Sequence, residues 1–137
     1  MSFCTDSELR ALGLKGHGVD VKISRKASLH NPGKIVVGNH VRIDDFCVLS
    51  AGDGGIEIGD YVHIAVFSSL IGAGRIDIGN FCNLSSRVAI YSSNDDYSGA
   101  YMTNPMVPGK FTGVTHCRSC LRGRQRVFVP WKRITLK

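Results

Sequence analysis

The sequence predicts an all-β fold: a triangular solenoid of parallel strands, closed at its start by a short helix. Large apolar residues recur at six-residue steps in groups of three, at Val37, Ile43 and Leu49, at Ile58, Ile64 and Leu70, and at Ile78, Leu84 and Ile90. Each group begins 20 or 21 residues after the one before it, and a fainter group, His17, Ile23 and Leu29, precedes Val37 by 20. One flat side per six-residue step gives four coils over residues 17–92. A fixed period of this length marks a repeat architecture, whereas an amphipathic helix would need apolar steps of three and four.

The elements follow in order. Residues 5–14 read as a helix, with Thr5 and Glu8 at capping-box spacing, an apolar face of Leu9, Leu12 and Leu14, and Gly13 and Gly16 to end it. Residues 1–16 thus form a cap across the open strand edge of the first coil. Within the coils, a small or β-branched residue follows the first two anchors of each group by four: Val21 and Ala27, Val41 and Cys47, Val62 and Ser68, Cys82 and Val88. Both positions are read as inward, so His17 is expected at an inward site. Gly18, Gly38, Gly59 and Gly79 directly follow the first anchors, and Asn39, Asp60 and Asn80 come next, which is turn chemistry tolerant of positive φ. The third side carries extra residues at 52–55 and 72–75, read as outward bulges. Residues 93–115 break the period, with Gly99, Pro105, Pro108 and Gly109 as punctuation, and a loop of this length inside a compact domain is usually functional or disordered.

Pieces such as IVVGNHVRI, IEIGDYVHI and IDIGNFCNL resemble the repeats of the hexapeptide-repeat acyltransferases, and residues 91–108, YSSNDDYSGAYMTNPMVP, are similar to a segment of sugar O-acetyltransferases that build bacterial surface polysaccharides. The resemblance covers residues 17–116. It implies a left-handed parallel β-helix, a hand that contrasts with the general rule for parallel crossovers. It also implies acetyl-CoA as acyl donor, a sugar hydroxyl of a surface polysaccharide or related saccharide as acceptor, and a homotrimer. The donor is expected between adjacent subunits with its pantetheine arm along later coils. The superfamily also includes N-acyltransferases and carbonic-anhydrase-like metalloenzymes.

The chain has 137 residues and 43% hydrophobic content, which bounds it to one small domain with a normal core. No stretch approaches the ~20 apolar residues of a membrane span, and no basic run followed by an apolar core marks a signal peptide. A cytoplasmic location is expected, in keeping with five cysteines read as reduced thiols. Cys47 and Cys82 sit at small inward sites, where a thiol acts as a small hydrophobe. Cys117 and Cys120 form one C-x-x-C beside His116, short of the four ligands of a zinc site. No metal is expected.

Residues 116–137 form an atypical basic tail. Residues 110–137 hold eight of the 17 basic residues and no acidic one, while residues 1–109 carry nine basic and 11 acidic. The net charge of +6 is therefore the sum of +8 and −2. The hexapeptide unit vanishes here as well, where the family resumes with further coils. This double loss leads to the expectation of a truncated or frame-shifted C-terminus without those coils.

Acetyl transfer needs a base near the acceptor, and histidine suits that role because its ordinary pKa of ~6.5 leaves it mostly neutral at pH 7. His63 is the first candidate. It faces outward in register with Lys22, Arg42 and Asn83, in a segment, GDYVHI, like the family's, with Ser68 and Ser69 read as its small neighbours. His116, after the long loop, is the second. Asp95, Asp96 and Tyr97 are candidates for gripping and stacking on a sugar, and Asn83 and Ser85 for hydrogen bonding it near a neighbouring subunit. Phe46 and Phe67, with Val66 beside them, stack on an outward face and mark the expected subunit contact. Two other classes remain open. One is a catalytically inactive remnant that serves as a structural or interaction protein. The other is nonspecific, salt-dependent binding of nucleic acid or an anionic surface through Arg118, Arg122, Arg124, Arg126, Lys132 and Arg133, with Phe128 and Trp131 interleaved.

Overall fold

The computed structural model describes residues 1–95, 98, 100, 104, 106–116, 119–121, 126–127 and 133–135. Its strands stack in register into three parallel sheets, one for each side of a left-handed triangular prism. The first face holds Gly16–His17, Ile35–Val37, Ile56–Ile58, Ile76–Ile78 and Ser119–Leu121; the second holds Val21–Ile23, Val41–Ile43, His63–Ile64, Asn83–Leu84 and Arg126–Val127. The third is built from Ser28–His30, Val48–Ala51, Ser69–Gly72, Ala89–Tyr91 and Arg133–Thr135. Each coil crosses all three faces, and the register joins like positions: Val37 with Ile58, Ile43 with Ile64, Leu49 with Leu70.

All nine principal anchors are buried, as are Val41, Cys47, Val62, Ser68, Cys82 and Val88 at the small sites. A second inward row, Ile35, Ile56 and Ile76, lies two residues before the first anchors. The strand alternation of period two places it there, although the six-residue count does not reveal it. His17 departs from the expected inward site. It is exposed, because the edge strand of the first coil has a stacked coil on one side only, and its Nδ1 lies 3.0 Å from the Gly18 carbonyl.

The corners explain the glycines differently from turn chemistry. Positive φ falls at Asp20, His40, Tyr61 and Phe81 (52–60°), two residues beyond the glycines, and again at Phe46, Phe67 and Arg87 on the next corner. Left-handed backbone at a non-glycine residue costs about 1–2 kcal/mol. Hydrogen bonds between coils offset it: the His40, Tyr61 and Phe81 amides donate to the Val19, Asn39 and Asp60 carbonyls, each at 2.9 Å. Gly18, Gly38 and Gly59 are required by close stacking. A Cβ on Gly59 would lie 2.4 Å from Asn80 Oδ1. Those side-chain oxygens form their own ladder, with the Val19, Asn39 and Asp60 amides donating to Asn39, Asp60 and Asn80 Oδ1 at 2.7–2.9 Å.

The cap is shorter than the expected helix and does more. Helix α1 spans Asp6–Ala11, and both arms of its capping box, Thr5 and Glu8, are present. Leu9 is buried against the coils, with Leu12, Leu14 and Cys4 packed beside it. Ahead of α1, the Cys4 amide donates to the Ile23 carbonyl and the Arg25 amide to the Ser2 carbonyl, so residues 2–4 cover the free edge of the second face.

The basic tail was expected to lie outside the repeat. Instead it supplies one strand to each face: Ser119–Leu121 pairs with Ile76–Ile78, Arg126–Val127 with Asn83–Leu84, and Arg133–Thr135 with Ala89–Tyr91. Parallel pairing uses backbone N–H and C=O groups that every non-proline residue carries, so a strand can join without the hexapeptide signature. Before it, Ser93–Asp95 and Val114–His116 form an antiparallel ribbon at the base of the long loop.

Two outcomes follow from this architecture. Ile64 is fully buried at the centre of the second face, so Ile64→Ala should cost about 2–5 kcal/mol in denaturant unfolding. At the cap, hydrogen bonding from Arg25 is the main reason the Glu8 carboxyl sits at about 2. With its folded value depressed, the Glu8 contribution is complete above the ordinary Glu range and is lost as pH falls toward about 2. An NMR titration should place the Glu8 midpoint there, with the Thr5 amide shift moving in step. A midpoint at the ordinary value would show that Arg25 does not hold the cap.

Candidate active site

The second face presents an outward row in which Lys22 pairs with Arg42, Arg42 with His63, and His63 with Asn83. The expected polar ridge is therefore present, and its register places Arg42 and Asn83 on either side of His63. Its other neighbour is Asp44, just past the end of Val41–Ile43. The Asp44 side chain is 7% exposed, yet it is charged; Arg42 Nε donates to its Oδ1 at 2.6 Å, and His63 Nε2 lies 2.9 Å from its Oδ2. Burial pushes the Asp44 carboxyl up, but the hydrogen bonds from Arg42 and His63 outweigh it and hold the group below its ordinary value. The result is a buried carboxylate with a guanidinium on one oxygen and a 40%-exposed imidazole on the other. Such an arrangement can orient the imidazole and balance a positive charge formed on it.

Asp44 was not singled out in the sequence, although a signal exists. The position after the second anchor holds Ser24, Asp44, Ala65 and Ser85 in successive coils. A carboxylate therefore replaces a small residue only in the coil beneath His63. Ser68 and Ser69 do not flank His63 as expected. Ser68 is buried and donates to the Ser85 carbonyl at 3.0 Å, and Ser69 belongs to the third face.

Asn83 and Ser85 share the outward side of one strand and its extension, with Asn83 beside His63. Asn83 Oδ1 is buried and has no hydrogen-bond partner among the described residues. An unmet acceptor of this kind costs about 1–3 kcal/mol, and a substrate N–H or O–H would relieve that cost. His116 and Asp95 lie elsewhere, on the two strands of the ribbon that leaves the fourth coil after the third face. Asp96 and Tyr97 fall outside the described residues.

The corners flanking this face are aromatic. His40 stacks on Tyr61 at 4.8 Å and Tyr61 on Phe81 at 5.1 Å, while Phe46 stacks on Phe67 at 5.1 Å on the other corner. Lys26 and Arg87 lie over the outer faces of that second pair. Tyr61, Phe81, Phe46 and Phe67 are all about half exposed. Among the described residues no cluster of side chains could hold a metal ion, and no helix is long and apolar enough to cross a membrane.

No protein-family model matches the chain. It is 54% identical over 114 residues to a dTDP-4-amino-4,6-dideoxy-D-glucose acyltransferase of Escherichia coli, across 83% of this chain and 59% of that protein. Among solved structures it is similar to AntD, an N-acyltransferase from Bacillus cereus. One AntD structure, in complex with dTDP-4-amino-4,6-dideoxyglucose and coenzyme A, superposes with a TM-score of 0.84 at 39% identity over 91% of this chain and 66% of that one. Another, with dTDP and 3-hydroxybutyryl-CoA, gives 0.82 at 41% identity over 88% and 63%. The first of these carries a substitution at a serine, and another AntD structure carries one at an aspartate ten residues after it. The chain thus spans about three fifths of the length of the relatives it matches. Its stacked hexapeptide coils, its parallel β-prism and these likenesses agree, and the chain belongs to the hexapeptide-repeat acyltransferase superfamily.

Proposed function

We propose that the chain carries the acceptor side of a coenzyme A-dependent acyltransferase that acylates the amino group of a dTDP-linked 4-amino-4,6-dideoxy sugar. The observation that carries this reading is the 54% identity to the Escherichia coli acyltransferase, which runs through 83% of the chain. Together with the likeness to AntD, an N-acyltransferase, it favours a nitrogen over the hydroxyl oxygen expected from the sequence, and a nucleotide sugar over a polysaccharide. Acetyl-CoA is the first donor to test, with 3-hydroxybutyryl-CoA beside it because one AntD structure holds that thioester. Both substrate classes are cytoplasmic metabolites, so the reading carries a cytoplasmic location.

His63 is the proposed base. The neutral amine attacks the thioester carbonyl carbon and the N–C bond forms. Imidazole takes the proton released from nitrogen, the C–S bond breaks, and the departing thiolate recovers the proton from the imidazolium. Asn83 Oδ1, unmet among the described residues, accepts a hydrogen bond from the acceptor. The Ser-to-Asp spacing of ten at the positions altered in AntD recurs here at Ser85–Asp95 and again at Ser86–Asp96. Ser85, Asp95 and Asp96 are the proposed sugar contacts, with Tyr97 proposed to stack on the sugar and His116 as the alternative base.

His63, Asn83 and Ser85 lie on the second face, while Asp95 and His116 leave from beyond the third. A homotrimer in which the ribbon of one subunit meets the second face of the next would unite them, with the Phe46–Phe67 corner at the contact.

Incubation with dTDP-4-amino-4,6-dideoxyglucose and each thioester, read by mass spectrometry, should give the N-acyl product. Acylation solely of a 4-hydroxy counterpart would overturn the reading. His63→Ala should slow transfer by about 10²–10⁴-fold with thermal stability nearly unchanged. A fully active variant would move the base to His116. Phe46→Glu combined with Phe67→Glu should turn a sedimenting trimer into monomers that keep their β-structure, and a wild-type monomer would remove the subunit contact.

A further inference from the structure

We propose that Asp44 is a positioning residue of this site, holding His63 by Nε2 so that Nδ1 is the nitrogen turned toward the acceptor. The inference rests on His63 being the base. An ionised carboxylate only accepts hydrogen bonds, and a neutral imidazole carries a single N–H. With Arg42 Nε already on Oδ1, the contact left to Oδ2 is the Nε2–H of His63. The proton on Nε2 leaves the lone pair on Nδ1, and that nitrogen is the one able to take a proton from an incoming amine.

Three features separate this arrangement from an ordinary satisfied carboxylate. Asp44 is nearly excluded from water, so Asp44 together with Arg42 would already form a closed pair. It takes His63, 40% exposed, as a further partner. The row it occupies is otherwise Ser24, Ala65 and Ser85, so the solenoid has no structural need for a carboxylate at this step. Arg42 is itself fixed: its guanidinium lies 5.4 Å over the Phe3 ring, and Phe3 bridges to Ser24 in the strand that covers the prism edge. The capping segment thus holds Arg42, Arg42 holds one oxygen of Asp44, and the other oxygen aims the imidazole.

Electrostatics act in the same direction. Among the described residues, the charged side chains that face His63 from the neighbouring coils are Arg42, on the strand paired with His63–Ile64, and Asp44, just past its end, and Asn83 on the other side is neutral. When Nδ1 takes a proton, the nearby carboxylate balances the imidazolium, while Arg42 keeps Asp44 ionised in a buried setting.

The test reads the ring directly. Side-chain 15N shifts of His63 in the wild-type chain, at a pH where the imidazole is neutral, should show the Nε2–H tautomer in excess. A predominant Nδ1–H tautomer overturns the proposal without any variant being needed. Asp44→Asn should bring the two tautomers toward equal populations and lower kcat at least ~10-fold while KM stays within about twofold. Unchanged tautomer populations in a folded Asp44→Asn protein would also overturn it. If the tautomers shift but His63→Ala remains active, the pairing is real and the base reading beneath it is wrong. Both the catalytic role of Asp44 and the His63 assignment then fall together.

Discussion

The structure depends on hydrogen bonding between successive coils at a constant period. Corner amides donate to the coil below, as Tyr61 does to the Asn39 carbonyl, and face amides donate to the coil above, as His63 does to the Cys82 carbonyl at 3.1 Å. An extra residue within a face would shift every later side chain from inside to outside. The chain absorbs its insertions where the coils can still stack. Gly52 and Gly54 lie so close to residues 73–75 that an added Cβ on either would meet backbone at under 2.5 Å. The same constraint explains why phenylalanine and tyrosine tolerate left-handed backbone at the corners. The hydrogen bond to the neighbouring coil and the ring stacked above it supply what the conformation costs.

That period also creates the site. Because like positions superpose, any outward position becomes a row of side chains about one strand spacing apart, ~4.8 Å. A row of lysine, arginine, histidine and asparagine is an assembled polar surface without any loop to hold it. Asp44 shows how little is then needed to specialise it. One residue of the otherwise small row after the second anchors becomes a carboxylate, and the next coil's outward position holds the imidazole it pairs with. Burying the charge is tolerable because both oxygens have charge-capable donors at 2.6 and 2.9 Å; removing either donor would leave a buried ion unmet.

Much of this was legible in the sequence because the solenoid writes its geometry into spacing. The nine principal anchors, the small inward row, the polar ridge through Arg42, His63 and Asn83, and the stacked Phe46 and Phe67 are properties of position within a period. The errors arose where the period stops carrying information. His17 sits in a first coil with one neighbour, so an inward phase does not bury it. At Gly18, Gly38 and Gly59 close stacking, not a turn dihedral, requires the glycine, and a sequence shows that a glycine is there without showing which atoms crowd it. The tail lacks the hexapeptide signature, yet its strands pair through backbone alone. Asp44 escaped notice because pairing with His63 across 19 residues is visible only once coils are stacked.

A prism of flat faces is convex, and ligands bind in concave sites. A row of side chains on one face can supply a base and a hydrogen-bond acceptor, but it cannot by itself exclude water from a thioester or enclose a sugar. The second wall must come from outside the face. Among the described residues the ribbon that interrupts the fourth coil is one source for it, and in the proposed trimer another copy of the prism would be a second. The ribbon leaves after the third face, on a different edge from His63, so within one subunit it walls a different part of the surface. Between two subunits packed through an aromatic corner, the ribbon of one can lie over the second face of the other. In the proposed trimer, the half-exposed rings at the corners and the division of the candidate residues between two edges would have a common cause, since neither surface would form a site alone.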